Sequence, residues 1–452
     1  MMVSSVQLNS LQKEKKQTIK SYSFYNYLVN IISDESRQNI EYSVDYDQKT
    51  FESLKNFIEY ESILKEYLYL FLKGKNEFYS FGNLFQILNK EILENKLKIP
   101  YELYIPIFFK VLQLEKFTPL LLDNQIDEIY LDSSDDNLYI DHSRYGRCST
   151  SIKLKKYEID SFIYRVALEN DFSLNQANPT MKAEFISSLF HTRVTVDIPP
   201  LIIGDYHIDI RKYRNRSLRM KDLIKNNSIT RNQALLLTFF IKNRVTITIL
   251  GPPNSGKTTL QNALIEFIPS HYRLISIEDV LEASSTRIGK AIKFRLGYDP
   301  YSSQLLTKSL EIQKILHRSP DFINLGELST KDHFNAFLNI LSVGVPSIQT
   351  IHGFNSQLLF TRLNDIYHIP LSLLKTSFPH VFVELAVTWN KNKKRRFIAK
   401  IAELNPEGQV KVIENDTINS FFTREEGPSD IFTLNYLKRM LNDPFSDKNF
   451  NI

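Results

Sequence analysis

The stretch from Gly251 to Thr258 (GPPNSGKT) limits what this chain can fold into more than any other feature. Such a stretch holds an anion only when it turns from a buried strand into a helix. Both flanks fit that requirement. Val245–Leu250 (VTITIL) alternates like a buried strand, and Thr258–Phe267 (TTLQNALIEF) has helical apolar spacing. The spacing therefore predicts a phosphate-binding loop. Backbone N–H groups of the loop and of the helix N-terminus face the phosphates, where negative charge is favoured. Gly251 and Gly256 let the backbone curl around the anion, and Pro252, Pro253, Asn254 and Ser255 complete the loop. Lys257 reaches the β- and γ-phosphates, the Thr258 hydroxyl can ligate Mg²⁺, and Thr259 extends the binding run. The residues point to a nucleoside triphosphate, with Mg²⁺ as its expected companion.

Composition narrows the context. A chain of 452 residues implies two or three domains. Its net charge of +5 is only mildly basic, a poor basis for nucleic-acid binding. The one cysteine, Cys148, excludes internal disulfides and multi-cysteine zinc sites. The longest apolar runs, Ala234–Ile241 and Phe382–Trp389, are far short of the ~20 residues of a membrane span. Lys13, Lys15 and Lys16 are not followed by an apolar core, so no signal peptide is expected.

Along the chain, four regions separate. Residues 1–115 carry apolar residues at helical spacing in Tyr22–Ile32, Phe51–Leu72 and Phe85–Leu97, which predicts a helical bundle. Residues 116–214 predict an α+β domain: strands at Ile126–Leu131, Asn137–Asp141, Arg193–Ile198 and Tyr206–Tyr213, a polar turn at Ser133–Asp136 and a helix at Lys155–Asn170. Residues 215–228 are polar and basic and read as a linker. From 229 to 452 strands and helices alternate, the pattern of an α/β domain with a parallel sheet. Seven of the 13 glycines fall between 251 and 353, which marks that segment as the one with unusual backbone. Trp389 and the many Phe and Tyr residues read as core. The basic run Lys391–Arg396 reads as a solvated hairpin tip, and His317 and His333 as helix residues without chemistry.

Four predicted strands of the last region each end in polar residues. Val245–Leu250 runs into the phosphate loop, Arg273–Ile277 into Glu278 and Asp279, Asp321–Leu325 into Gly326 and Glu327, and Ser347–Ile351 into His352. In a parallel sheet these carboxyl ends share one edge, where ligands bind. Any one of these residues alone would be an ordinary surface group; their repeated placement predicts convergence on one nucleotide.

The set GPPNSGKT, ISIEDVLE, SPDFINLGE and SIQTIH resembles, in order, the Walker A loop, aspartate box, Walker B ending in Gly-Glu, and histidine box of the type II/type IV secretion ATPase superfamily. Asp222–Lys225, Ile210–Arg214, Ile126–Leu131, Tyr139–Gly146 and Arg395–Glu403 are similar to the archaeal branch, which includes archaellum and archaeal pilus ATPases. The resemblance spans about 116–405 and implies a RecA-like motor domain preceded by an α+β domain. It implies that Glu327 is the general base, that Glu278 and Asp279 line the metal and water, with Glu278 joining Thr258 at Mg²⁺, and that His352 positions the γ-phosphate. Arg211 and Arg214, and less closely Arg216, match arginines that reach the nucleotide between domains or subunits. The superfamily works as a homo-hexamer that uses ATP to move against an integral-membrane platform protein, so ATP with Mg²⁺, a place at the cytoplasmic face of a membrane and no direct nucleic-acid contact are expected of this chain.

Three positions depart from the pattern. Leu328 and Ser329 follow Glu327 where an arginine is usual, Arg318 stands one place off the arginine expected before Pro320, and Val345 follows Gly344 in place of histidine. The departures question hydrolysis rate and ring coupling, not nucleotide binding. Two other functions use the same core: a hexameric DNA translocase, which would show basic and aromatic pore loops, and a non-hydrolysing nucleotide-dependent scaffold.

Overall fold

Tyr22, Phe24, Tyr27, Val29 and Ile31 sit two apart on either side of one break. That period belongs to a strand. In the computed structural model, which describes residues 16–34, 39–48, 50, 57–73, 78–94, 96–213, 218–278, 291–295, 308–369, 380–390, 393–405, 409–414 and 433–434, this segment is a hairpin. Strand β1 (Lys16–Phe24) turns through Tyr25 and Asn26 into β2 (Tyr27–Asp34), with Phe24 opposite Tyr27. A third strand, β3 (Asn39–Tyr46), pairs antiparallel with β2. The helix expected over Tyr22–Ile32 is therefore corrected to strand. Aromatic residues are so dense here that both periods find matches, and burial of Tyr27, Val29 and Ile31 on one sheet face decides for the strand.

The chain divides into two compact units, 1–215 with 391–394, and 216–390 with 395–452. In the first, β3 continues in parallel onto β6 (Gly146–Lys153). The sheet runs on through β5 (Asn137–His142), β4 (Ile126–Leu131), β9 (His207–Tyr213), β8 (His191–Asp197) and β7 (Thr180–Ile186), nine strands in all among the described residues. Helices Phe57–Leu72, Phe81–Leu93, Tyr101–Val111, Thr118–Leu122 and Lys156–Glu169 accompany it. One apolar core includes Tyr27, Leu64, Phe85, Phe108 and Val194, so the described residues between 16 and 115 are not a separate bundle but share the core of the α+β sheet.

Phe81 lies at the centre of that core. It is fully buried, and its ring meets those of Phe108, Phe109 and Phe185 edge-on at 5.0–5.1 Å. Phe81→Ala should cost this unit about 3–5 kcal/mol, as for other buried aromatics cut to alanine. Loss of amide-exchange protection in β7 and β8 would measure it. Unchanged protection would mean that the cluster is dispensable.

In the second unit, eight strands among the described residues form one sheet in the order β12 (Ala291–Arg295), β11 (Leu274–Glu278), β13 (Phe322–Glu327), β14 (Ser347–His352), β10 (Thr246–Gly251), β15 (His380–Asn390), β16 (Lys393–Leu404) and β17 (Val410–Val412). The pairings β12–β11, β11–β13, β13–β14, β14–β10 and β10–β15 are all parallel. Every residue of β10 is buried, as a central parallel strand covered on both faces requires. The predicted α/β sheet is thus observed, with helix Arg231–Lys242 ahead of its first strand and helices Lys257–Ile265, Lys308–Ile315 and Lys331–Ser342 between its strands. The expected linker contains a short helix, Met220–Lys225, whose Met220 and Leu223 are buried in this unit's core. Trp389 is 56 % exposed, because β15 runs beyond its buried half; the core reading of that residue is corrected. No described helix is long and apolar enough to cross a membrane.

Candidate phosphate-loop site

The strand order brings the predicted residues to one edge. β10 and β14 pair with Gly251 opposite His352, and β13 and β14 with Glu327 opposite Thr350. Glu278 is the last residue of β11. Asp279, Arg214 and Arg216 lie outside the described residues.

The loop's shape follows from its glycines and its neighbours. A Cβ on Gly251 would stand 2.5 Å from the Ser255 Oγ and 3.1 Å from the Leu385 Cβ, so only glycine lets the loop close. Asn254 and Gly256 take left-handed backbone, and the helix Lys257–Ile265 starts directly after them. The Ser255 hydroxyl is buried without a hydrogen-bond partner. Thr258 and Thr259 occupy the first turn of that helix. This cradle suits a phosphate chain at a helix N-terminus. Among the described residues no group of three or more His, Cys, Asp or Glu is placed to hold a metal. Mg²⁺ bound to a nucleotide needs few protein ligands, since phosphates and water supply the rest, and the Thr258 hydroxyl in the first turn of the phosphate helix is an oxygen donor of the kind such an ion takes.

A polar chain crosses the edge. The buried Lys257 donates from Nζ to the Gly251 and Pro252 carbonyls, 3.0 Å each, and to His352 Nδ1 at 3.2 Å. An ammonium group has no acceptor, so Nδ1 must accept and the ring's proton sits on Nε2. Nε2 lies 3.2 Å from Glu327 Oε1. Lys257, His352 and Glu327 are thereby linked in series. Burial pushes the Glu327 carboxyl up, but the hydrogen bond from His352, with the charges of Lys257 and Lys308, outweighs it and holds the carboxyl below its ordinary value.

Glu327 reaches this position through a bulge. Register against β14 slips between Asn324 and Gly326, and Gly326 has φ +59°. One extra residue re-aims the strand's end, and a left-handed φ there favours glycine. Beneath the edge, the buried Gln261 donates to Asn324 Oδ1 at 2.7 Å, and Asn324 donates to Ser276 Oγ at 3.4 Å. Asn324 Oδ1 also accepts from the Gly326 N–H at 3.3 Å. The phosphate helix, β13 and β11 are thus tied together under the site.

Four further residues come from outside the motifs. Lys308 is buried and donates from Nζ to the Glu327 carbonyl at 2.5 Å. Arg396 donates from Nε to the Asn254 carbonyl at 2.7 Å, so the basic run contributes a brace for the loop and not only a solvated tip. Glu384, buried on β15, accepts from the Ser356 N–H at 2.9 Å and from its hydroxyl at 2.6 Å, which anchors the segment after His352. Arg362 donates to the carbonyls of His352 and Ser329 at 3.3 and 3.0 Å. Arg318, by contrast, pairs with Glu311 at 3.2 Å and lies 4.1 Å over the Phe294 ring, so it does not join the Glu327 group. Arg211 belongs to the first unit, where its Nε stands 3.8 Å from Glu128 Oε1. A cavity of about 370 Å³ lined by Pro252, Pro253, His352, Gly353 and Phe354 adjoins the loop.

The pattern of the type II/IV secretion system protein family matches residues 113–419, more than half of the chain. The chain belongs to this family. Family membership confirms the resemblance carried by the four motifs. An uncharacterized protein of Methanocaldococcus jannaschii is 24 % identical over 291 residues, 63 % of this chain and 50 % of that protein. The protein VirB11 of Rhizobium radiobacter is 39 % identical over 140 residues, 30 % of this chain and 38 % of VirB11. These matches span half or less of the relatives' own length. Among solved structures, the Yersinia pseudotuberculosis ATPase DotB aligns at 16 % identity and a TM-score of 0.49, over 73 % of this chain and 86 % of DotB.

Proposed function

We propose that this chain is an ATP hydrolase that powers a type II/type IV secretion or filament-assembly system. The observation that carries this reading is the series Lys257–His352–Glu327 beside the phosphate loop. It sets a cation where phosphate charge must be met and a carboxylate where a water could be deprotonated. In this reading the loop from Gly251 to Thr259 holds the phosphates, and Glu327 takes the proton of the attacking water. His352 positions the γ-phosphate and holds Glu327 in its ionised form. Thr258 and Glu278 would hold Mg²⁺, with Asp279 lining the metal and water, and the ion would neutralise phosphate charge. Arg211 and Arg214 supply the arginine charge that acts on the nucleotide during transfer.

The working form is a homo-hexamer on the cytoplasmic face of a membrane, docked on an integral-membrane platform protein. The deciding experiment is phosphate release by the purified full chain, alone and with DNA, together with cross-linking in native membranes. ATP turnover without DNA stimulation, and cross-links to a polytopic membrane protein, are expected. Binding without turnover would favour a scaffold, and strong DNA stimulation a translocase.

Arg211→Ala should lower turnover on the order of 10²-fold while nucleotide affinity changes little, because an arginine fork acts on charge that develops during transfer. Steady-state phosphate release and titration with a fluorescent ATP analogue separate the two quantities. Turnover within twofold of wild type would remove Arg211 from the mechanism.

A further inference from the structure

The helix Ser356–Thr361 does not simply end. It widens into a π-turn over Arg362–Ile366, closed by the Tyr367 N–H donating to the Arg362 carbonyl at 3.0 Å. On an α-helix, residues five apart point about 140° away from each other. A π-turn brings them to one side, and such turns concentrate at functional sites. Here it pairs Arg362 with Tyr367. The guanidinium donates from Nε to the Tyr367 hydroxyl at 3.2 Å and from Nη2 to the same oxygen, and it stands 5.0 Å from the centre of the Tyr367 ring.

What the pair holds is more informative than the pair itself. Arg362 Nη1 donates to the His352 carbonyl, and Nη2 to the Ser329 carbonyl. The Tyr367 hydroxyl, accepting from Arg362, donates its own proton to the same Ser329 carbonyl at 3.0 Å. Donor and acceptor roles therefore close without conflict. Ser329 lies two residues after Glu327, and His352 carries the ring that pairs with Glu327. The platform beneath is fixed at both ends. Glu384 anchors Ser356 at the start of the helix, and the Tyr367 ring packs on the buried Phe334 at 5.6 Å.

We propose that Arg362 and Tyr367 form a positioning clamp that sets the separation of Glu327 and His352. Neither group reaches the reacting atoms. The clamp holds two backbone segments, and their spacing decides whether the imidazole can donate to the carboxylate. The proposal rests on the hydrolase reading above.

The test uses the full chain with Arg362→Ala and Tyr367→Phe. Arg362→Ala should lower kcat by about tenfold or more, since small misplacements of catalytic groups cost that much. KM and the affinity for a fluorescent ATP analogue should stay within about twofold, because Lys257 and its loop are held by other contacts. The acid limb of the kcat profile should move to higher pH, because Glu327 loses the hydrogen bond that keeps it ionised. A residue that served only stability would not move that limb. Tyr367→Phe, which keeps the ring's packing and loses one donor, should show the same shift with a smaller loss of rate. Unchanged kcat and an unchanged acid limb in both variants would overturn the clamp. Amide exchange gives an arm that is independent of turnover: segments 327–330 and 350–354 should exchange faster together in Arg362→Ala. If wild type releases no phosphate, the hydrolase reading fails by itself. The exchange arm then decides the clamp, with faster exchange in both segments supporting it and unchanged exchange refuting it.

Discussion

Glu327→Gln is expected to keep ATP bound and to cut phosphate release by about 10²–10⁴-fold, the usual worth of a general base. The amide has nearly the same shape and can still meet His352 Nε2 through its oxygen, so the pairing at the end of β13 survives. It cannot accept the water's proton. Fluorescent-analogue titration should therefore match wild type while steady-state turnover collapses. The same geometry fixes a pH dependence. Burial alone would push the Glu327 carboxyl up; His352, Lys257 and Lys308 bring it below its ordinary value. A depressed carboxyl stays ionised as pH falls, so wild-type turnover should persist through mildly acidic pH and fail only as pH drops through that lowered value. His352→Ala removes the leading opposing contribution, and its acid limb should lie at higher pH. Wild-type turnover in Glu327→Gln would remove the base from this position.

What the amino-acid order reveals about this site depends on where each signal lies. β10, β13 and β14 are short apolar runs that stop at Gly251, Glu327 and His352. Strand, loop and chemistry occur there in unbroken order, so both sheet and edge are readable. β1 to β3 are not, because Tyr and Phe recur so often that a helical match arises beside the alternating one. The helix Tyr101–Val111 is hidden for another reason: Pro106 stands inside it and Pro100 immediately before it, both ordinary signs of a break.

The supporting residues of the site were illegible because their partners are distant. Lys308 in sequence is one more charged helix residue. Only the fold shows it buried against a carbonyl 19 residues away. Arg396 sits in a basic run whose composition predicts solvent, and its contact with Asn254 crosses 142 residues. Arg362 and Tyr367 are five apart, a spacing that neither a helix nor a strand pattern would pair. Motifs announce groups that touch phosphate. Groups that hold those motifs in place carry no comparable pattern.

Lys257→Ala should abolish tight ATP binding, and the argument runs through more than lost charge. The ammonium is buried at 7 % exposure, and its donors meet the carbonyls of Gly251 and Pro252 and His352 Nδ1. It is thus held in place before it meets a phosphate. Hydrogen bonds to charged groups contribute about 1.5–3 kcal/mol each. Losing one or two such bonds to phosphate oxygens should weaken binding by about 10- to 10⁴-fold at 1.4 kcal/mol per decade. A second loss follows at His352. Without Lys257, Nδ1 no longer has the donor that keeps the ring proton on Nε2, and Glu327 loses a partner that was fixed in one tautomer. Turnover should therefore stay low even when ATP is raised to occupy the weakened site, so Lys257→Ala should be a defect of both affinity and rate. Lys257→Arg keeps the charge but not the slender stem that fits between two carbonyls, and it should recover little of either. Equilibrium titration and turnover at saturating ATP would separate the two losses. A Lys257→Ala protein that binds ATP as tightly as wild type would mean that the loop at 251–258 is not the phosphate site. Low affinity with a normal maximal rate would leave the loop in place and remove the Lys257–His352 link from the mechanism.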